Sequence, residues 1–150
     1  MKGSVHYDYE CKDGWLSPNA PRSGSTWSRP FVGDGFFARV VRVTLQGEHV
    51  TSIAPLAHLT RLQRLSIDRT RVSDLAPLAR LTDLKTLNLN HTEVSNLAPL
   101  AALKRLDTLY LTNTKVTDLT PLTALTNLKN LALADTNIRD LSPLADMTRL

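Results

Sequence analysis

From Val50 onward, aliphatic residues return to the same slot every 22 residues: Val50, Val72, Val94, Val116 and Ile138 form one column, and the register does not slip before Leu150. A fixed period of this length means one small structural unit stacked repeatedly on copies of itself. A complete unit has seven such columns, occupied in the second copy by Val72, Leu75, Leu78, Leu81, Leu84, Leu87 and Leu89. A proline column (Pro55, Pro77, Pro99, Pro121, Pro143) and a mainly acidic or amide column (Ser52, Asp74, Asn96, Asp118, Asp140) run beside them. Seven aliphatic side chains in 22 residues cannot offset the backbone entropy lost on ordering the unit alone, so each unit must cover its neighbour's apolar face.

The spacing inside a unit changes character. Leu84, Leu87 and Leu89 end in a period of two, the signature of a short strand, whereas Leu75, Leu78, Leu81 and Leu84 recur every three, which suits a tight 3₁₀-like turn. The proline has a fixed φ and no N–H, so it belongs in the first turn of that return. The Asp, Asn or Ser three places earlier can accept a bond from the free N–H groups there. Each unit therefore reads as a strand, a bend and a 3₁₀-like return. The segment Val40-Val41-Arg42-Val43-Thr44-Leu45-Gln46-Gly47 aligns with residues 62–69, so the sheet should begin one strand before the first full unit and contain five strands.

These residues carry a family resemblance. Leu84-Lys85-Thr86-Leu87-Asn88-Leu89-Asn90-His91-Thr92-Glu93-Val94 resembles the leucine-rich repeat pattern, and the unit with Asp74-Leu75-Ala76-Pro77-Leu78 is similar to bacterial internalin-type repeats. The resemblance covers residues 40–150. It implies an α/β solenoid of right-handed leucine-rich repeats, with a parallel β-sheet on the concave face and short 3₁₀-like returns on the convex face, used for binding proteins. The chain departs from the pattern at Thr70, Thr92, Thr114 and Thr136, where the family commonly has Asn. A hydroxyl satisfies fewer backbone groups than an amide, so the bend should survive with a looser ladder.

Residues 1–39 are different in kind. Of the eight aromatic residues, seven (Tyr7, Tyr9, Trp15, Trp27, Phe31, Phe36, Phe37) lie there and only Tyr110 lies in the repeats. Terminal strands of a solenoid need capping, and this segment reads as the cap. Val5, Tyr7, Tyr9 and Cys11 alternate with polar residues as in a half-buried strand, and Asp13-Gly14 signals a turn. Residues 17–30 are rich in turn formers, and Phe36-Phe37 should pack under the first repeat strand. At the other end, Leu150 falls in the column of Leu62, Leu84, Leu106 and Leu128, where a sixth strand would start. Two explanations are open: a fragment or degenerate copy of a longer array, or an end buried against another chain.

Strand alternation turns Leu87 and Leu89 inward and sends the residues between them to the open face of the sheet. Three columns result: Arg42, Arg64, Thr86, Thr108, Asn130; Thr44, Ser66, Asn88, Tyr110, Ala132; and Gln46, Asp68, Asn90, Thr112, Ala134. This face is charged at its start, rich in amides and hydroxyls in the middle and bland at its end. Such a surface suits recognition of another protein, with Arg42, Arg64, Ser66, Asp68, Asn88, Asn90, Thr108, Tyr110 and Thr112 as candidate contacts. Tyr110 either packs across neighbouring strands or anchors a partner. Arg42 and Arg64 are either an ordinary solvated face or a patch for an acidic partner.

Other chemistry is poorly represented. No nucleophile sits with a base, so no enzyme activity is expected. His6, Asp8 and Glu10 share a face of the N-terminal strand but lack a supporting shell for a metal, and no cofactor is expected. His49 and His58 fall in loops and His91 at a bend, all read as solvated. Cys11, the only cysteine, reads as a buried inert thiol and permits no internal disulfide. Gly33-Asp34-Gly35 is a turn, since no Lys-Ser/Thr pair follows to make a phosphate loop. The net charge of +4, 18 Lys and Arg against 14 Asp and Glu, is dispersed, and Asp68 breaks the one basic patch, which argues against nucleic acid. No run of apolar residues is long enough to span a membrane, and the N-terminus lacks the apolar core of a secretory signal. The expectation is a cytoplasmic interaction module, with export by another route left open. The alternative is a structural or self-assembling protein, a homo-oligomer formed through its open C-terminal edge.

Overall fold

The structure, a computed structural model, describes residues 40–150. The expected cap, with its strand at residues 5–11, its Asp13-Gly14 turn and the packing of Phe36 and Phe37, lies outside the described residues. Five three-residue strands, β1 (Arg42–Thr44), β2 (Arg64–Ser66), β3 (Thr86–Asn88), β4 (Thr108–Tyr110) and β5 (Asn130–Ala132), form one sheet in chain order. Every neighbouring pair is parallel and offset by one 22-residue unit: Val43 pairs with Leu65, Leu65 with Leu87, Leu87 with Leu109 and Leu109 with Leu131. The column alignment of the sequence is thus the hydrogen-bonding register of the sheet.

Each strand is followed by a bend and a short 3₁₀ return: Ala54–His58, Ala76–Leu78, Ala98–Ala102, Thr120–Ala124 and Ser142–Leu144. Proline occupies the first turn of every one. The orphan N–H just before it is satisfied as expected: Asp74, Asn96, Asp118 and Asp140 each accept through Oδ1 from the backbone N–H two residues on, at 2.8 to 2.9 Å. Ser52, with a shorter side chain, accepts at 3.2 Å. No return is an α-helix, each being a 3₁₀ segment of three to five residues; the α/β description narrows to strands and 3₁₀ turns among the described residues.

The core is a continuous aliphatic spine running from Val40 to Leu128, fully enclosed in the middle units. Thr70, Thr92 and Thr114 are buried within it, and each Oγ1 donates to the carbonyl three residues back, Ile67, Leu89 and Leu111, at 2.6 to 2.8 Å. The inter-unit ladder beside them consists of main-chain bonds: the N–H groups of Arg71, Glu93 and Lys115 donate to Val50, Val72 and Val94 at 2.9 to 3.1 Å. The ladder is therefore not looser than elsewhere. Threonine closes its own bend, and at this position backbone bonds join one unit to the next.

Candidate partner-binding face

The register places the candidate residues together. Arg42 and Arg64 pair across β1 and β2, Ser66 pairs with Asn88, and Asn88 pairs with Tyr110, so one rung of the sheet runs from Thr44 to Ala132. Thr108 begins the strand that Tyr110 ends, two residues before Thr112. Arg64 is exposed, and its guanidinium has no ion pair or hydrogen bond among the described residues. Asp68, which the sequence places as a break in the basic patch, has its carboxylate 3.8 Å from Nε of Arg69, with its side chain 20% exposed against 75% for the arginine. A contact at that distance to a largely exposed arginine is weak, and it is the only ion pair the Asp68 carboxylate makes among the described residues.

Asn88 and Asn90 are not simply contacts held out to a partner. Asn88 Oδ1 accepts from the N–H of Asn90 at 2.9 Å, and Asn90 Oδ1 accepts from the N–H of Thr112 in the next unit at 2.8 Å. Both N–H groups lie two residues past a strand end, where the chain turns away from the sheet and a side-chain amide takes over from a carbonyl. The two oxygens are engaged in the scaffold. Thr108 is partly committed too, with Nδ2 of Asn130 at 3.4 Å from its hydroxyl.

Tyr110 is 37% exposed, the only aromatic on the described face. Its rung neighbours are Asn88 on β3 and Ala132 on β5. A lone methyl at Ala132 leaves one flank of the ring with low cover, and Ala134 beyond it is equally short. The ring thus stands at the boundary between an amide-rich floor and a flat apolar one.

The bend beside the sheet contains features that column reading did not bring out. Arg69, His91, Asn113 and Asp135 all have φ of 53 to 55°, and Gly47 in the same column has φ of 112°. This left-handed conformation suits Gly best, is tolerated by Asn, Asp and, at more cost than Gly, His, and is least favourable for Arg. His91 is not merely solvated, since its Nδ1 is 2.9 Å from Nδ2 of Asn113 one unit on. His58 ends the first 3₁₀ return instead of lying in a loop. Exposed pairs link successive bends, Arg71 with Glu48 at 2.7 Å and Lys115 with Glu93 at 2.9 Å. The Lys115 hydrogen bond, followed by its charge, holds the Glu93 carboxyl below its ordinary value. On the opposite edge Arg105 meets Asp83 at 2.6 Å and Arg149 meets Asn127 at 2.8 Å. Three of these contacts, Glu48 with Arg71, Glu93 with Lys115 and Asp83 with Arg105, are ion pairs that link successive units along the solenoid. The residues His6, Asp8, Glu10, Cys11 and Gly33-Asp34-Gly35 lie outside the described region. Among the described residues, no group of three or more His, Cys, Asp or Glu could hold a metal, and no helix is long and apolar enough to cross a membrane.

Residues 82–124 match the family described as leucine rich repeats in two copies. No curated protein matches the chain. Among solved structures, internalin C2 of Listeria monocytogenes is similar at 37% identity with a TM-score of 0.74, over 78% of this chain and 51% of that one. An internalin, inlF, of the same species has 25% identity and a TM-score of 0.64, over 79% of this chain and 42% of that one. A leucine-rich repeat protein of Leptospira interrogans, at 23% identity and a TM-score of 0.68 over 75% of this chain and 30% of that one, shares the fold. The chain spans about half the length of the first of these, 51%, and less of the others.

Proposed function

The chain is a leucine-rich repeat protein with 22-residue internalin-type units, and from that premise we propose that it is a binding module that holds another protein against the concave face of its sheet. Leucine-rich repeat proteins generally serve as protein interaction modules, and binding without catalysis is the role assigned here. The observation that supports this reading is Tyr110: a large side chain, 37% exposed, held at the middle of a rigid polar sheet instead of in the core. Tyrosine in such a setting contributes contact area at little entropic cost, which is why it is frequent among the residues that dominate interfaces. Arg64 and the free faces of Thr86, Thr108 and Thr112 complete the surface. Tyr110→Ala should abolish capture of a cognate partner with the fold unchanged by circular dichroism. Retention of the partner at wild-type affinity would exclude the concave face.

A second reading rests on the last unit. Leu141 is 59% exposed and Leu150 48%, while Leu131, Leu133 and Ile138 are only partly covered. An apolar surface of this kind suits a further repeat or a second chain stacked in register. Under this reading the protein assembles through its β5 edge, and appending one capping repeat after Leu150 removes self-association in sedimentation while leaving Tyr110-dependent capture intact.

A further inference from the structure

The chemistry along the sheet face changes in one direction, and the change describes an occupant. At the β1 and β2 end, Arg42 and Arg64 are register partners, two cations on neighbouring strands. The one acid among the three face columns, Asp68, is turned to Arg69 at 3.8 Å. At the β5 end the corresponding positions are Asn130, Ala132 and Ala134, with no charge at all. The middle, Thr86, Asn88 and Thr108, offers hydroxyls and amides. Cationic, then polar, then aromatic and apolar is the complement of a ligand that is anionic at one end and apolar at the other.

The geometry gives the separation. Arg64 and Tyr110 are two strands apart and two residues apart along the strand direction. Strands lie about 4.8 Å apart and rise about 3.3 Å per residue, which places the two Cα positions roughly 12 Å from each other. An extended peptide covers that distance in three to four residues. Resting on the concave-face reading above, we propose that the occupant is an extended segment of a partner protein in which an Asp or Glu precedes or follows a large apolar side chain by three or four residues. Its carboxylate meets the Arg64 guanidinium, which can take it through two N–H donors, and its apolar side chain lies over Tyr110 and Ala132. Arg42 adds positive potential beside Arg64. Two cations on one face are too few for a phosphate backbone, whose affinity comes from many such contacts, and a single carboxylate needs no more.

The full chain can be panned against a phage-displayed library of random dodecapeptides, and the enriched peptides measured by fluorescence anisotropy. The expected result is enrichment of an acidic residue three or four positions from Leu, Phe or Trp. Arg64→Glu should then weaken binding about five- to tenfold, and exchanging the peptide's acid for Lys should restore it. Arg80→Glu, at an exposed position just past the return Ala76–Leu78, should change nothing. Peptides that lose binding on Tyr110→Ala yet lack an acid, or ignore Arg64, would overturn the inference and leave the concave-face reading standing. Peptides indifferent to both Tyr110→Ala and Arg64→Glu would overturn both, and a library that yields no enrichment counts against the inference. Self-association abolished by Tyr110→Ala would make a second copy the occupant and also overturn it.

Discussion

The fourth full unit and the partial unit after it obey the same sequence rule and have different fates. Leu119 is 1% exposed and Leu122 is fully buried, whereas Leu141, in the column of Leu119, is 59% exposed and Leu144, in the column of Leu122, only partly covered. Both prolines sit in the same turn, and Asp118 and Asp140 make the same bond to the N–H two residues on, each at 2.8 Å. Local structure is therefore fixed within a unit, while burial is conferred by the unit that follows. A solenoid's interior is made of interfaces, and a residue's energetic weight is set by how many of them it belongs to.

The largest effect that could break this comparison is in the core. Leu119→Ala should cost about 2 to 5 kcal/mol in urea denaturation, because the cavity is enclosed on both sides, and Leu141→Ala less than about 1 kcal/mol. Equal losses at the two sites would mean that the last unit is covered in solution. Next come the buried hydroxyls: Thr92→Val should cost about 1 to 2 kcal/mol by leaving the Leu89 carbonyl without its donor. Thr136→Val, whose hydroxyl bonds Leu133 in the half-covered unit, should cost clearly less by the same denaturation.

Smaller and opposite in sign is the left-handed column. His91→Gly should raise stability by about 0.5 to 1 kcal/mol in thermal unfolding, unless loss of the contact to Asn113 outweighs relief of the backbone, whereas Asn113→Gly gains nothing. Destabilisation by both His91→Gly and Asn113→Gly, each of which removes the contact, would show that the inter-unit contact matters more than the strain. The smallest effect is acid sensitivity. Asp118 and Asp140 have carboxyls held below their ordinary range by bonds from Thr120 and Ser142. A lowered folded-state pKa gives stability that is present above the unfolded value and lost as pH falls through the folded one. An Asp118→Asn and Asp140→Asn double variant, keeping the same acceptor without the charge, should lose less stability than the parent between about pH 6 and about pH 2. Parallel curves would remove these carboxylates from the account.

Much of this was legible in the chain because a 22-residue shift in sequence is one step sideways in space. The strand positions, their register, the role of Asp74 before Pro77 and the alternation that places Tyr110 on the open face all follow from writing residues in columns. The pairs Asp83 with Arg105 and Glu93 with Lys115 were equally available in the columns but are detectable only when columns are read for charge. Arg71 with Glu48, offset by 23, is not a column pair at all, because long side chains reach diagonally across a bend. The engagement of the Asn88 and Asn90 oxygens was hidden for another reason: a side-chain amide at or just past a strand end can face outward or accept from a nearby backbone N–H, and residue type does not choose.

The sequence by itself determined the unit, its turn chemistry and the order of the strands, since these depend on local periodicity and on residues a few positions apart. Tertiary structure alone decided which of five equivalent leucines is enclosed and which asparagine oxygen is engaged. Those outcomes depend on what the neighbouring unit places within hydrogen-bonding or van der Waals reach, and that is a property of the stack and not of any single copy.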